Sequence, residues 1–552
     1  MKRLNLLFFL LFIPVFTFSQ YVLEKNWHVS ALIKNSTIQR TDSVGAWIVK
    51  GGYDVNKNGK KEILIMTDPT VSGGKTTDTT NTLFLLENDG NDNYKLIWSY
   101  KSPYPVNSYG DVEVADMDQD GKPEIWFTFP AIVNENRPNP PRIMCFEFDG
   151  TNIPTIPTIE WNFDKRDNFD MRPSCIVFDD VDKDGTVELV CTTRRDDHTG
   201  SGAGRTLLAA SSPLPIEAGG LNLLQVEFID TSSYLKGGAI YEAKVLDYDR
   251  DGKKEIWVFT WDQYTVNIYE ATGADKYNHE VEIRKAVPES DIGSFMATHF
   301  YDANKDGKLE GFVAGAQGDF GTGDVLYIES CEDVSKLTKD NIKEVGYRIG
   351  TNPRGAAIGD FDKNGLMDFV FVDRKLSKVV KMEYKGTGNL ADSTSYKWSD
   401  LMVDTSTTYL PDYFMMSAAS SDLDGDGFQE LLIANLDVMH PSKPLVIVLE
   451  ATKVNSVEKK EGVIPSEFSL GQNYPNPFNP TTNIEFAIPK SAKVSLKVYN
   501  MLGQEIVTLV NETKEAGKYV VTFNSGNLPS GTYYYKLSAD NYSEVKKMML
   551  MK

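Results

Sequence analysis

The chain has 552 residues, with 57 Lys and Arg against 78 Asp and Glu and a formal net charge of -21. That balance excludes a polyanion as the main partner, since binding nucleic acid needs a basic face. Hydrophobic residues make up 41% and aromatic residues 11% of the chain, enough to fill a core. The five histidines (His28, His198, His279, His299 and His440) stand nowhere at metal-ligand spacing. No Walker-type loop and no G-x-S-x-G elbow occurs, so the readiest enzyme readings fall away.

The chain opens on Lys2 and Arg3, an apolar run from Leu6 to Phe18, and small residues at Thr17 and Ser19. This layout predicts a secretory signal peptide over residues 1–19, cleaved before Gln20. The run is too short to span a bilayer, and no later stretch reaches the ~18 apolar residues a spanning helix needs. The expected product is exported, not membrane-spanning and monomeric. Export permits disulfides among Cys145, Cys175, Cys191 and Cys331. Spacing leaves the pairing open: Cys175 and Cys191 flank one loop, and four buried thiols serve equally well.

Between residues 54 and 430 one pattern recurs seven times: Asp-x-[Asp/Asn]-x-[Asp/Asn]-Gly-x-x-[Glu/Asp], followed by an apolar strand. The first two copies are Asp54, Asn56, Asn58, Glu62 and Asp116, Asp118, Asp120, Glu124. The third and fourth are Asp180, Asp182, Asp184, Glu188 and Asp247, Asp249, Asp251, Glu255. The fifth is Asp302, Asn304, Asp306, Glu310, and the sixth Asp360, Asp362, Asn364, Asp368. The seventh is Asp422, Asp424, Asp426, Glu430. The copies start 55 to 67 residues apart, a regularity that marks a repeat architecture.

The pattern suits a hard cation. Calcium takes six to eight oxygens at ~2.3–2.6 Å, and a tightly curled loop brings positions 1, 3, 5 and 9 together. The glycine at position 6 permits the curl. Up to seven structural Ca²⁺ ions are expected at these residues, with the first loop, holding two asparagines, the weakest. A helical calcium loop would need an acid at position 12, where this chain has Ile65, Phe127, Cys191, Val258, Val313, Phe371 and Ile433. The flanks are short β-branched and aromatic runs such as Glu255-Ile-Trp-Val-Phe, so each loop joins two strands. A metal-free turn remains the alternative, because Asp, Asn and Gly favour turns.

Each repeat offers about four strands, in the first Ala46–Lys50, Glu62–Thr67, Thr82–Glu87 and Tyr94–Tyr100. Four-stranded units at this period predict an all-β fold, a seven-bladed β-propeller. The seventh unit lacks its fourth strand, and the stretch Tyr21–Ala31, carrying Trp27, is placed to supply it. Trp98, Trp161 and Trp398 are expected to pack between blades. The stretch Arg194–Gly219, rich in Gly and Ser and carrying Arg194, Arg195 and His198, reads as a long insertion in blade three. The seven loops resemble the FG-GAP/VCBS repeats of integrin-like propellers over residues 20–455, though most Phe-Gly and Gly-Ala-Pro landmarks of that repeat are absent.

Residues 456–467 read as a polar linker. Alternating strands over residues 468–552 predict a small Ig-like β-sandwich, led in by Pro475, Pro477 and Pro480. Tyr474-Pro-Asn-Pro-Phe478, Tyr499-Asn-Met-Leu-Gly-Gln504 and Leu528-Pro-Ser-Gly-Thr-Tyr533, with the basic end, are similar to the type A C-terminal sorting domain of type IX secretion. That resemblance implies the type IX machinery as a partner, passage through the outer membrane, and a secreted or surface location. The expected role is recognition or adhesion toward an extracellular glycan or protein, with no catalytic residue assigned. The alternative is a polysaccharide-degrading lyase or hydrolase on the same scaffold.

Overall fold

The structure is a computed structural model. It describes residues 27–28, most of 45–450, 457–460 and nearly all of 465–551; residues 69–79, 132–137, 164–170, 196–204, 285–292, 404–414 and 437–444 are among those outside the described set. The expected signal peptide also lies outside it. The described residues are strands, turns and three short 3₁₀ turns, with no α-helix among them. No described helix is long and apolar enough to cross a membrane. The described residues divide into two compact units, one within 27–450 and one within 457–551.

The first unit is a seven-bladed propeller. Six antiparallel four-stranded sheets each take their strands in chain order; blade one runs Gly45–Tyr53, Glu62–Asp68, Thr80–Asn88, Tyr94–Pro105. The seventh is built from Met415–Ser421, Glu430–Asn435, Val446–Glu450 and, as its outer strand, Trp27–His28. Trp27 pairs with Val448 and His28 with Ile447, so the N-terminal stretch closes the last blade as the missing strand required. Closure pairs a backbone row that would otherwise be an open edge.

The first strands of successive blades pack against one another and surround the axis. The second strands are the most deeply buried, which explains their composition. Glu255–Thr260 and Glu430–Asn435 are buried at every position, flanked on both faces by neighbouring blades. A strand with two covered faces loses the alternation of a half-exposed one. Aromatic side chains fill the wedges between blades. Trp98 of blade one packs edge-on against Phe146 of blade two at 5.0 Å, and its indole N–H donates to the Pro154 carbonyl at 2.7 Å. Trp161 is buried between blades two and three, while Trp398 is half-buried.

Blade three departs from the sequence reading. Leu207–Ser211, inside the supposed insertion, is a fully buried strand paired with both Leu189–Thr192 and Gln225–Asp230. Arg194 and Arg195 end the preceding strand, and His198 is outside the described residues. All four cysteines are free; Cys145, Cys175 and Cys191 are buried and Cys331 is partly so.

The second unit has two four-stranded antiparallel sheets around one core that includes Ile484, Phe486, Val494, Leu496, Val521, Tyr535 and Leu537. Val457–Lys460, within the expected linker, pairs with Lys518–Val521 as an edge strand of this unit. The Tyr474–Pro475 and Asn476–Pro477 bonds are cis. Phe478 is buried in the core and Tyr474 is 80% exposed. Asn473 pins the segment: its N–H donates to the Tyr535 hydroxyl and its amide to the Thr482 hydroxyl.

Candidate metal loops and the axial charges

Each acidic loop joins the first and second strands of its blade, and the curl repeats among the described loop residues. Position 4 has left-handed backbone at Lys57, Gln119, Lys183, Arg250 and Lys305, with φ between 56° and 61°. Position 6 is left-handed as well, from φ 83° at Gly59 to 96° at Gly185, which is why glycine recurs there. The position-6 N–H donates back to the position-1 carboxylate: Gly121 to Asp116 at 3.0 Å, Gly307 to Asp302 at 2.9 Å, Gly365 to Asp360 at 2.9 Å. The position-7 N–H donates to position 5, as in Lys122 to Asp120 at 2.7 Å. Position 2 plugs the loop into the core with Val55, Met117, Val181, Tyr248, Phe361 or Leu423, all buried.

Position 9 starts the second strand and is wholly buried. Its carboxylate accepts the position-2 N–H through one oxygen in all seven loops: Val55 to Glu62, Met117 to Glu124, Val181 to Glu188, Tyr248 to Glu255, Ala303 to Glu310, Phe361 to Asp368 and Leu423 to Glu430. Among the described residues, the other oxygen, Oε1, is buried with no hydrogen-bond partner in Glu62, Glu124, Glu188, Glu255 and Glu310. A buried, unpaired carboxylate oxygen is costly and calls for a cation. Burial, reinforced by the loop aspartates, pushes Glu62 and Glu310 up to about 7 and Glu124, Glu188 and Glu255 up to about 8. In the second, third and fourth loops the four predicted acids each offer an oxygen within 4.8 Å of the others. In the fifth, Asp302, Asp306 and Glu310 do the same. These groups have the geometry to hold a metal ion, and the orphaned oxygens fit one.

Loop one is arranged differently. The Asn56 amide donates to Glu87 on the next strand at 2.9 Å, and Asn58 also donates to it. Lys60 bridges to Glu87 and Asp89, leaving Asp54 and Glu62 as the acids. Asp362, Asn364 and Asp426 lie outside the described residues.

Adjacent loops are also joined. Gln119 donates to the Gly185 carbonyl at 2.8 Å, Lys183 to Gly252 and Lys305 to Gly365. The position-3 carboxylates reach forward too: Asp118 accepts the Ile216 N–H at 2.6 Å, Asp182 that of Asp275 at 2.6 Å and Asp249 that of Val334 at 2.9 Å. Loops two and three, three and four, and five and six are thus tied directly, giving a partly coupled rim on one propeller face.

Sequence reading missed a set of charges on the axial strands. Lys50 lies 2.5 Å from Glu113, which also accepts the Tyr53 hydroxyl at 2.6 Å. Burial opposes ionisation of Lys50, but Glu113 and Asp111 outweigh it and hold the ammonium up. Lys244 pairs with Glu242 at 3.1 Å, and Glu242 accepts from Thr298. Arg354 stacks 5.6 Å from the Tyr241 ring centre. The available signal was a charged residue three or four places ahead of a loop, as at Lys50, Glu113 and Lys244.

Residues 472–551 match the family model for the secretion system C-terminal sorting domain, and residues 54–127 that for the FG-GAP-like repeat. No curated protein matches the chain. Among solved structures, the Bacillus licheniformis rhamnogalacturonan lyase is similar at 14% identity over 74% of this chain and 72% of that one, with a TM-score of 0.41. An α-L-arabinofuranosidase from Lactobacillus brevis is similar at 12% identity over 51% and 90%, with a TM-score of 0.30. The type IX surface component PorZ of Porphyromonas gingivalis is similar at 11% identity over 92% and 81%, with a TM-score of 0.19. The chain is thus a β-propeller protein with an FG-GAP-like repeat and a type IX C-terminal sorting domain, which sends it to the cell surface or the medium.

Proposed function

We propose that this is a surface-displayed or released recognition protein whose propeller is held in shape by calcium. The observation that carries the reading is the row of five buried glutamates, each with one oxygen satisfied by backbone and one left for a cation. The ligands are the residues at positions 1, 3, 5 and 9 of the loops, with a position-7 carbonyl available as a further oxygen. Calcium favours this oxygen-rich, flexible set over magnesium, which demands a stricter octahedron. Extracellular calcium modules bind at ~10⁻⁴–10⁻³ M, so an exported propeller meets its metal only after leaving the cell.

The coupled rim gives the scaffold its use. Metal on one loop stiffens the next through Gln119, Lys183, Lys305 and the position-3 aspartates, and a stiff face binds an extracellular glycan or protein without first paying to order itself. The axial charges support recognition over catalysis: Lys50 with Glu113 and Lys244 with Glu242 neutralise each other, rather than leaving a lone base beside an acid. The test is binding of the purified full-length protein to an array of extracellular polysaccharides and surface proteins, in calcium and then in chelator. Calcium-dependent retention of one ligand class supports the proposal. Shortening of a retained polysaccharide would replace it with the enzyme reading.

A further inference from the structure

The sixth loop solves the problem of the orphaned oxygen in another way. Asp368 at position 9 accepts the Phe361 N–H at 3.2 Å through Oδ2, as the other loops do. Its Oδ1 lies 2.7 Å from the ammonium of Lys381, on the adjacent strand Lys378–Tyr384. The same ammonium lies 3.1 Å from Glu383, and the side chains of Lys381 and Asp368 are fully buried. We propose that Lys381 is a built-in cation standing where the other loops take a metal, so that loop six is metal-free and the full set is fewer than seven.

The register shows that the substitution is specific to this blade. Lys381 lies opposite Val370, two residues beyond the position-9 acid. The matching pairs elsewhere put Leu85 opposite Leu64, Cys145 opposite Trp126, Ala209 opposite Val190, Ile268 opposite Trp257, Tyr327 opposite Phe312 and Val448 opposite Leu432. None of these six can carry a positive charge. A second change accompanies the lysine: loop six alone has Asp rather than Glu at position 9. The shorter carboxylate still reaches the Phe361 N–H and sets its second oxygen 2.7 Å from the ammonium. The opposing acid is retained, since Glu383 pairs with Asp368 as Glu87 does with Glu62 and Glu270 with Glu255. A divalent ion added beside a buried ammonium would be repelled by it and would compete for the same oxygen. Gly365 still donates to Asp360 at 2.9 Å, the same bond that Gly121 and Gly307 make in loops two and five.

This inference rests on the calcium reading, and the experiment separates the two. Calcium per full-length chain is counted by native mass spectrometry and elemental analysis for the wild type, Lys381→Met and the double variant Asp368→Glu/Lys381→Leu. The double variant copies the Glu62 and Leu85 arrangement of blade one. The expected result is fewer than seven ions in the wild type and one more in the double variant. Lys381→Met alone should unfold at a lower temperature in chelator and recover in calcium, because it leaves Asp368 and Glu383 facing each other. Seven ions in the wild type overturn the inference while leaving the calcium reading intact. So does an unchanged count in a double variant that remains folded. Absence of calcium from every form overturns both.

Discussion

The Gln119 side chain donates to the Gly185 carbonyl across 2.8 Å, tying the loop of blade two to that of blade three. Its backbone is left-handed at φ 57°, which aims the side chain forward along the rim. Gln119→Ala removes the bond and keeps the awkward backbone, and should cost about 1 kcal/mol. Gln119→Gly loses the same bond but relaxes the backbone, and should be the milder change by about 0.5–1 kcal/mol. Urea unfolding of both variants in calcium checks the order.

Glu124 holds the Met117 N–H with one oxygen and offers the other to the loop. Glu124→Gln keeps the shape and removes the charge. In calcium it should lower stability, up to the about 2.7 kcal/mol that a ligand at 100 times its Kd provides. In chelator the sign should reverse, since a neutral amide is easier to bury than an unpaired carboxylate. Melting curves of wild type and variant under both conditions should therefore cross in order.

Trp98 anchors the junction of blades one and two against Phe146 and Phe148. Trp98→Ala should cost about 3–5 kcal/mol through lost burial and a cavity. Trp98→Phe should recover most of that and still lose the bond to Pro154. Chemical denaturation of the two variants separates packing from the hydrogen bond.

His299 is kept neutral: burial and the nearby Lys244 push it down to about 3, against about 6.5 in an unfolded chain. The folded value is the lower, so the unfolded state binds the extra proton. Stability should be present above about pH 6.5 and fall as pH drops through the window from about 6.5 to 3. His299→Phe should flatten that part of the stability profile relative to wild type at each pH.

The four thiols should titrate as free once the chain is unfolded and stay silent before that. Burial pushes Cys145, Cys175 and Cys191 well up and Cys331 up to about 12, so little thiolate exists at neutral pH. A thiol reagent should count four only in denaturant, and reductant should leave the melting temperature unchanged.

The repeat, its strands and the closure by Trp27 were legible because each rests on local chemistry: turn glycines, paired acids and a missing strand. The strand Leu207–Ser211 was not, since Leu-Leu-Ala-Ala-Ser is short, small-sided and buried on both faces, which erases alternation. Lys381 escaped notice for a different reason. A loop motif ends at position 9, whereas the partner that completes the site lies on the next strand, 13 residues further on. Pairing across strands, rather than spacing along the chain, brings Lys381 to Asp368.

The pairing of Trp27 with Val448 makes a ring out of a linear polymer, with its seam in blade seven. Assembly therefore cannot finish until the last blade has left the ribosome, since the first strand must wait for its mate. The same seam is where the ring should part under load. A pull on the leading end peels one outer strand rather than a whole blade, and protease attack there would open the circle while the other six sheets stay intact.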